Sequence, residues 1–337
     1  MTASPRRRPV LVVALLAVVL GAVVVAGAVV VVGRVTGNEA PAQAPAAAAP
    51  PTPTGPRINC AAKPSACGYP DETNTGVRAG TALMKVPADA TSGPGWTWDT
   101  RGWLRVTEEG AVIEALDVAG SIDVEKSGVT IRNTRVRQTG EQFGIALRHT
   151  REVTVEDCEV SGPDAREGRL AVGIKDVYGD SQDTKILRTE VFHTATGIQV
   201  YQGLIQDNYV HDLGVKKDDH VNGIMDNGGI ARPLVIRHNT VLNPHGQTDA
   251  IALFQDFGGL ADRTIEDNLI GGGAYTLYAG ADKEPTSRIR VIGNRWVRTY
   301  FPKGGAYGPV TAFEQRGKGN EWKNNVWDDN NRPVTAG

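Results

Sequence analysis

Two short stretches carry most of the side chains able to do acid–base work. "KKDDHVNGI" (216–224) and "NPHGQTDAI" (243–251) each close on Asn or Asp, then Gly or Ala, then Ile. Asp226 follows the first stretch and "FQDFG" (254–258) follows the second, so Asp218, Asp219, His220, Asp226, His245, Asp249, Gln255 and Asp256 form one constellation. Two carboxyl groups about 5–5.5 Å or 6.5–9.5 Å apart hydrolyse a glycosidic bond with retention or inversion. A base that takes a sugar ring proton, helped by a cation that neutralises the sugar carboxylate, eliminates instead. Asp249 with Asp226 or Asp256 is the candidate carboxyl pair. His220, His245 and Lys175 are the candidate bases or neutralising groups. Asp218 and Asp219 are weak candidates to hold Ca²⁺. Loop Asp and Asn also bond local backbone in turns, which is the competing account of each residue taken singly.

These loops must be positioned by a repeating element. The rows VTIRNTRV (129), VTVEDCEV (153), TKILRTEV (184), GLIQDNYV (203), LVIRHNTV (234), RTIEDNLI (263), IRVIGNRW (289) and NEWKNNVW (320) begin 24, 31, 19, 31, 29, 26 and 31 residues apart. Their sixth position reads Thr134, Cys158, Thr189, Asn208, Asn239, Asn268, Asn294 and Asn325. Such a period signals a solenoid. Apolar spacing of two rather than 3.6 makes it a β-solenoid. Between rows a further strand recurs: "GIALR" (144), "GIKDV" (173), "GIQVY" (197), "GIMDN" (223) and "AIALF" (250). The pattern predicts an all-β, right-handed parallel β-helix with three short strands per coil. Its aligned asparagines form a ladder, each bonding the next coil's backbone at a bend whose left-handed conformation Asn tolerates. A propeller or sandwich needs antiparallel hairpins, and the Asn-Gly hairpin signal is rare here.

Coils stacked about 4.8 Å apart bring loops distant in sequence together along one wall. The "GI" strands are the candidate wall. Alternation points Ile174, Ile198, Ile224 and Ile251 inward, and Lys175, Gln199, Met225, Ala252 and Tyr201 outward. Asn222 and Asp249 then occupy equivalent places in adjacent coils. Lys175, Gln199, Tyr201, Asn222, Gln255 and Tyr278 are candidate substrate contacts, since aromatic faces and a hydroxyl suit sugar rings. Trp296, Trp322 and Trp327 are expected to cap the C-terminal end, and Trp96, Trp98 and Trp103 the N-terminal end. His193 and His211 are expected at the surface away from this wall, and Asp71 and Asn74 at the first coil.

A net charge of −2 argues against a nucleic-acid partner, which requires a basic stripe. Arg6, Arg7 and Arg8 precede an apolar run from Val10 to Val32, about 34 Å as a helix and enough to cross a bilayer. The expected organisation is a cytoplasmic basic tail (1–9), a transmembrane signal-anchor (10–32), a Pro/Ala-rich linker (33–57), an N-terminal cap region (58–110) and the β-helix (111–337). Ala42-Gln43-Ala44 keeps open the alternative of a cleaved signal. Either way the domain is exported, and it is expected to be a monomer. In an oxidising compartment Cys60 and Cys67 are expected to pair, leaving Cys158 as a buried thiol.

With the repeat in view, the region from Cys67 to Val334 resembles exported actinobacterial right-handed β-helix proteins related to the pectate lyase and polygalacturonase superfamily. The likeness rests on "CGYPDETNTGV" (67–77), "AGTAL" (79–83), "HVNGI" (220–224), "AIALFQDFGG" (250–259), "GGGAYTLYAG" (271–280) and "YFPKGGAYGPV" (300–310). It implies an extracellular or cell-wall polysaccharide partner and lyase or hydrolase chemistry. "QTDAI" keeps an acid at Asp249, while Asn222 stands where such proteins often carry Asp, and the Gly-His and Arg-x-Lys signatures of polygalacturonases are missing. The alternative is a non-catalytic glycan-binding or structural surface module.

Overall fold

The computed structural model describes residues 59–230 and 232–336. The expected tail, signal-anchor and linker lie outside the described residues. Among the described residues no helix is long and apolar enough to cross a membrane.

Three sheets of nine, ten and eleven strands run the length of the domain. Every strand pair is parallel except the meander Ser92–Gly93, Trp96–Asp99 and Trp103–Val106 at the start. Each coil contributes a strand to the first sheet, turns a corner, adds one to the second, then one to the third. One such coil is Gly203–Gln206, Tyr209–His211 and Asn222–Asp226. This is a parallel β-helix, as the period of the sequence predicts. The third sheet holds the "GI" strands and is called the GI sheet below.

Register explains the repeat. Ile122, Ile145, Ile174, Ile198, Ile224, Ile251, Leu277 and Val310 pair in succession along the GI sheet. All are buried, so one apolar column runs through the solenoid. The glycines before Ile145, Ile174, Ile198 and Ile224 sit too close to their neighbours for a side chain, while Ser121 and Ala250 precede Ile122 and Ile251. A Cβ on Gly197 would lie 2.5 Å from the Gly223 carbonyl oxygen and 2.6 Å from a Val210 methyl.

The ladder forms at the corner between the first two sheets. Asn239 Oδ1 accepts the Asn208 backbone N–H at 2.9 Å, and Asn268 Oδ1 accepts that of Asn239 at 2.9 Å. Each Nδ2 donates to a carbonyl of the coil before, as from Asn268 to Ile236 at 2.9 Å. Thr134, Cys158 and Thr189 continue the column, all fully buried. The left-handed residue is not the ladder asparagine but the one before it: Asn133, Asp157, Arg188, Asp207, His238, Asp267, Gly293 and Asn324 all have positive φ. A ninth row precedes the eight. AVIEALDV (111–118) has left-handed Ala115 and carries Leu116 at the ladder position, so it lacks the polar mark of the others.

Cys60 and Cys67 form a disulfide, with Cα atoms 5.6 Å apart. The segment holding them does not stay at the first coil. It runs along the outside from the last coil toward the first. Contacts in order are the Cys60 N–H with Asp328, the Tyr69 hydroxyl with Asp267, the Gly68 carbonyl with His238, the Gly76 N–H with Arg188, and Arg78 with Asp157. Met84–Val86 then pairs with Leu116–Val118. Cys60 and Tyr69 bury Leu242, Leu269 and Val297 in a small second core. Asp71 closes a turn within this strap, accepting from Ser65 and Thr73, rather than capping a coil.

The tryptophans take their expected ends. Trp96 is buried with Trp98 packed on the same core. Trp296 is fully buried, its ring centroid 5.5 Å from that of Trp322.

Candidate functional site

Asn222 and Asp249 each lie two residues before the paired Ile224 and Ile251, so they share one register position of adjoining strands. Thr196 pairs with Asn222 on one side, and Tyr275 with Asp249 on the other. Asp249 is only 3% exposed. Burial pushes its carboxyl up to about 7, offset in part by the Tyr275 backbone N–H, and no neighbouring charge contributes. Asn222 Oδ1 is buried without a hydrogen-bond partner. A protonated Asp249 is a donor beside that free acceptor.

Aromatic side chains lie on the neighbouring strand, with Tyr275 next to Asp249 in register. Tyr278 lies one strand on from Ala252 in register, and its ring stacks at a tilt on Phe254 with centroids 5.0 Å apart. Asp249, Asp256 and Asp282 all act on the Tyr278 hydroxyl, which burial first pushes up. Tyr275 and Tyr307 approach at 5.9 Å. Phe257 and Tyr307 are among the most exposed large apolar residues, at 69% and 68%. Sequence reasoning missed Phe254 and gave Tyr275 no place in the groove. Aligning the GI strands puts Tyr275 directly after Asp249, which is the signal that identifies it.

Several predicted residues serve the scaffold instead. Asp226 is fully buried and pairs with Arg263 at 2.6 Å, while the Gly228 N–H donates to its other oxygen. Burial pushes the Asp226 carboxyl up and the guanidinium pulls against it. Arg263 also donates to the Ile230, Arg232 and Ala261 carbonyls. Asp226 therefore fastens the corner after its strand and has no oxygen left for a partner acid role. His245 donates from Nε2 to the Leu213 carbonyl at 2.7 Å, joining two loops. Gln255 is buried, accepting from the Lys283 and Glu284 N–H groups and donating to the Glu284 carbonyl, so it holds the next loop rather than a ligand. Asp219 gives both oxygens to Arg169, at 2.6 and 2.7 Å. This leaves Asp218 and Asp219 unsuited to share Ca²⁺. Among the described residues no three His, Cys, Asp or Glu side chains gather with metal-binding geometry.

Others stay at the wall. Asp256 is exposed on the rim, 3.5 Å from Lys283. His220 is exposed in the loop before its strand. Lys175, Gln199 and Met225 pair in register as expected. Tyr201 and Gln199 are each only 3% exposed, deeper than alternation implies, because Gly179 and Phe257 close over the Tyr201 ring. His211 is not a plain surface residue. Its two ring nitrogens meet Glu190 and Asp212 at 3.0 and 2.9 Å, and its ring stacks on Tyr209 at 3.8 Å. Burial pushes His211 down, but the two carboxylates prevail and raise it. Cys158 is fully buried, and burial pushes its thiol up to about 12.

The fold places the chain among parallel β-helix proteins. No family model matches the sequence, and no curated protein does. Among solved structures the chain is similar to the Dettilon tailspike protein, with 15% identity and a TM-score of 0.40 over 67% of this chain and 54% of that one. The chain thus spans about half the length of that protein.

Proposed function

We propose that the chain binds an extended extracellular polysaccharide along the outer face of the GI sheet and that Asp249 is the general acid or base acting on it. The observation that carries this is the Asp249 carboxyl, whose pKa burial raises to about 7, in register with Tyr275 and within electrostatic reach of Tyr278. A catalytic acid or base works best with a pKa near the operating pH. Aromatic faces and a run of parallel strands suit a linear chain of sugar rings. Hydrolysis and elimination leave different products, which the assay below separates. Two-carboxyl hydrolysis needs a second acid within about 9.5 Å. Asp226 is committed to Arg263, which leaves the exposed Asp256 as the remaining candidate for a second acid.

Export and membrane anchoring through residues 10–32 belong to the same proposal, as does kinship with the pectate lyase superfamily. Protease accessibility of the domain on intact cells tests the first. Incubation with a panel of polysaccharides, followed by unsaturated-uronate absorbance and reducing ends, tests the chemistry. Asp249→Asn is expected to lose about 100-fold or more in turnover while still binding. Full activity of Asp249→Asn removes Asp249 from the mechanism. The second reading, a glycan-binding module without turnover, is favoured by the commitment of Asp226 and His245 to the scaffold. It is the outcome if the panel yields binding and no product.

A further inference from the structure

Three strands before Asp249, the GI sheet holds a row of side chains that the proposed reaction does not use. Lys175 on Leu170–Asp176 pairs in register with Gln199 on Thr194–Gln199. The Lys175 nitrogen donates to Gln199 Oε1 at 2.7 Å, and Gln199 Nε2 donates to the Tyr201 hydroxyl at 3.0 Å. One primary amide is thus held between an amine on its oxygen side and a phenol on its nitrogen side. Gln199 and Tyr201 are buried, and Lys175 is half-buried with its nitrogen 5.2 Å from the Phe143 ring. The carboxylate that acts on Lys175, Asp176, gives its oxygens to Gly179 and Ser181 in the corner beyond the strand. Burial therefore prevails and pushes Lys175 down, toward the neutral amine. A desolvated neutral amine is the nucleophilic form of lysine. Burial pushes Tyr201 up to about 12, so its hydroxyl keeps its proton.

We infer that Lys175 and Gln199 join in an intramolecular isopeptide bond, with Tyr201 as the proton donor to the departing nitrogen. Lys175 Nζ attacks Gln199 Cδ, and the carbonyl π electrons move onto Oε1. The C=O bond then re-forms and the Cδ–Nε2 bond breaks. Tyr201 gives its proton to Nε2, the proton shed by Nζ restores the phenol, and ammonia leaves. The product is lighter by one ammonia, and the step needs no oxidant or second reactant. The last torsion of a glutamine side chain is soft, so turning the amide presents its carbon to the amine. Between free groups such an exchange is very slow. Groups held in place reach effective molarities of about 10⁵–10⁸ M, which is what the register of these two strands contributes. Burial of the amide also keeps out the water that would hydrolyse it. The bond staples two adjacent coils across 24 residues of chain, as Cys60 and Cys67 staple the strap. It does not depend on what the wall binds.

The test is a tryptic peptide map of the full chain by mass spectrometry. The stapled chain is expected to yield residues 170–185 joined to residues 189–216, lighter than the two peptides together by one ammonia. Cleavage after Lys175 is expected to be lost, because trypsin does not cut at an acylated lysine. Lys175→Arg and Gln199→Met are each expected to abolish the joined peptide. Tyr201→Phe is expected to slow its appearance about 100-fold in pulse-labelled chain. Separate peptides 170–175 and 189–216 from the wild type, with no joined species after prolonged incubation, overturn the bond. Fragmentation that places the link on any other residue overturns it too. The wild-type map decides this even if a variant folds poorly. A Tyr201→Phe chain that joins as fast as the wild type overturns the role given to Tyr201.

Discussion

At Asp249 the physics is a carboxyl that burial keeps protonated. Its pKa of about 7 lies well above the ordinary value of 3.8. The unfolded chain then ionises first as pH rises, so it binds fewer protons than the folded chain, and stability falls between about pH 4 and 7. The full difference is on the order of 4 kcal/mol as an upper bound. The urea midpoint is expected to drop from pH 5 to pH 8 in the wild type and to drop less in Asp249→Asn, where Asp226 and His211 still titrate above their ordinary values. An identical pH slope in both places the raised pKa elsewhere. Cys158 offers the opposite case. It stands where Thr134 and Thr189 stand in neighbouring coils. Cys158→Thr is expected to change stability by less than about 1 kcal/mol in denaturant unfolding, and the native thiol to resist alkylation. The acid at 249 was legible from the alignment of "QTDAI" with "HVNGI". Its isolation from other charges was not. Asp226 looks equally catalytic in sequence, and only a partner 37 residues away shows it to be spoken for.

The strands and corners obey two constraints that the repeat encodes unequally. The isoleucine column and the asparagine ladder were legible because each coil repeats them at one position. The left-handed corner was not, because its residues include Arg188, His238 and Ala115, types that carry no turn signal. The glycine column is a packing requirement. Gly197→Ala forces a methyl group onto the Gly223 carbonyl and Val210. Overpacking of this kind costs roughly 1–3 kcal/mol, and thermal or urea unfolding will show it. Asn268→Ala removes an acceptor for two groups of Asn239 and donors to Ile236, Glu266 and Asn294. Each buried group left unpaired costs about 1–3 kcal/mol, so this variant is expected to lose more stability than Gly197→Ala. The reverse order contradicts the ladder as a major stabilising element.

On the scale of the molecule, the strap ties the two ends of the solenoid together. Its partners run from Asp328 back to Asp157, a spread that no local pattern announces, and this is why residues 58–110 read as a cap. Replacing Cys60 and Cys67 by Ser is expected to speed hydrogen exchange in residues 60–70 and leave the GI strands protected. Loss of protection throughout makes the strap part of one cooperative unit instead. The same parallel stacking that hides the strap's route from sequence creates the wall, since Asn222, Asp249 and Tyr275 become neighbours only through register. Hydrogen-exchange footprinting of the chain with a bound oligosaccharide tests this wall most directly. The account predicts new protection in the strands Leu170–Asp176, Thr194–Gln199, Asn222–Asp226, Asp249–Leu253 and Tyr275–Ala279 and in the loop at 254–258. Protection confined to the strap or to the first sheet contradicts it.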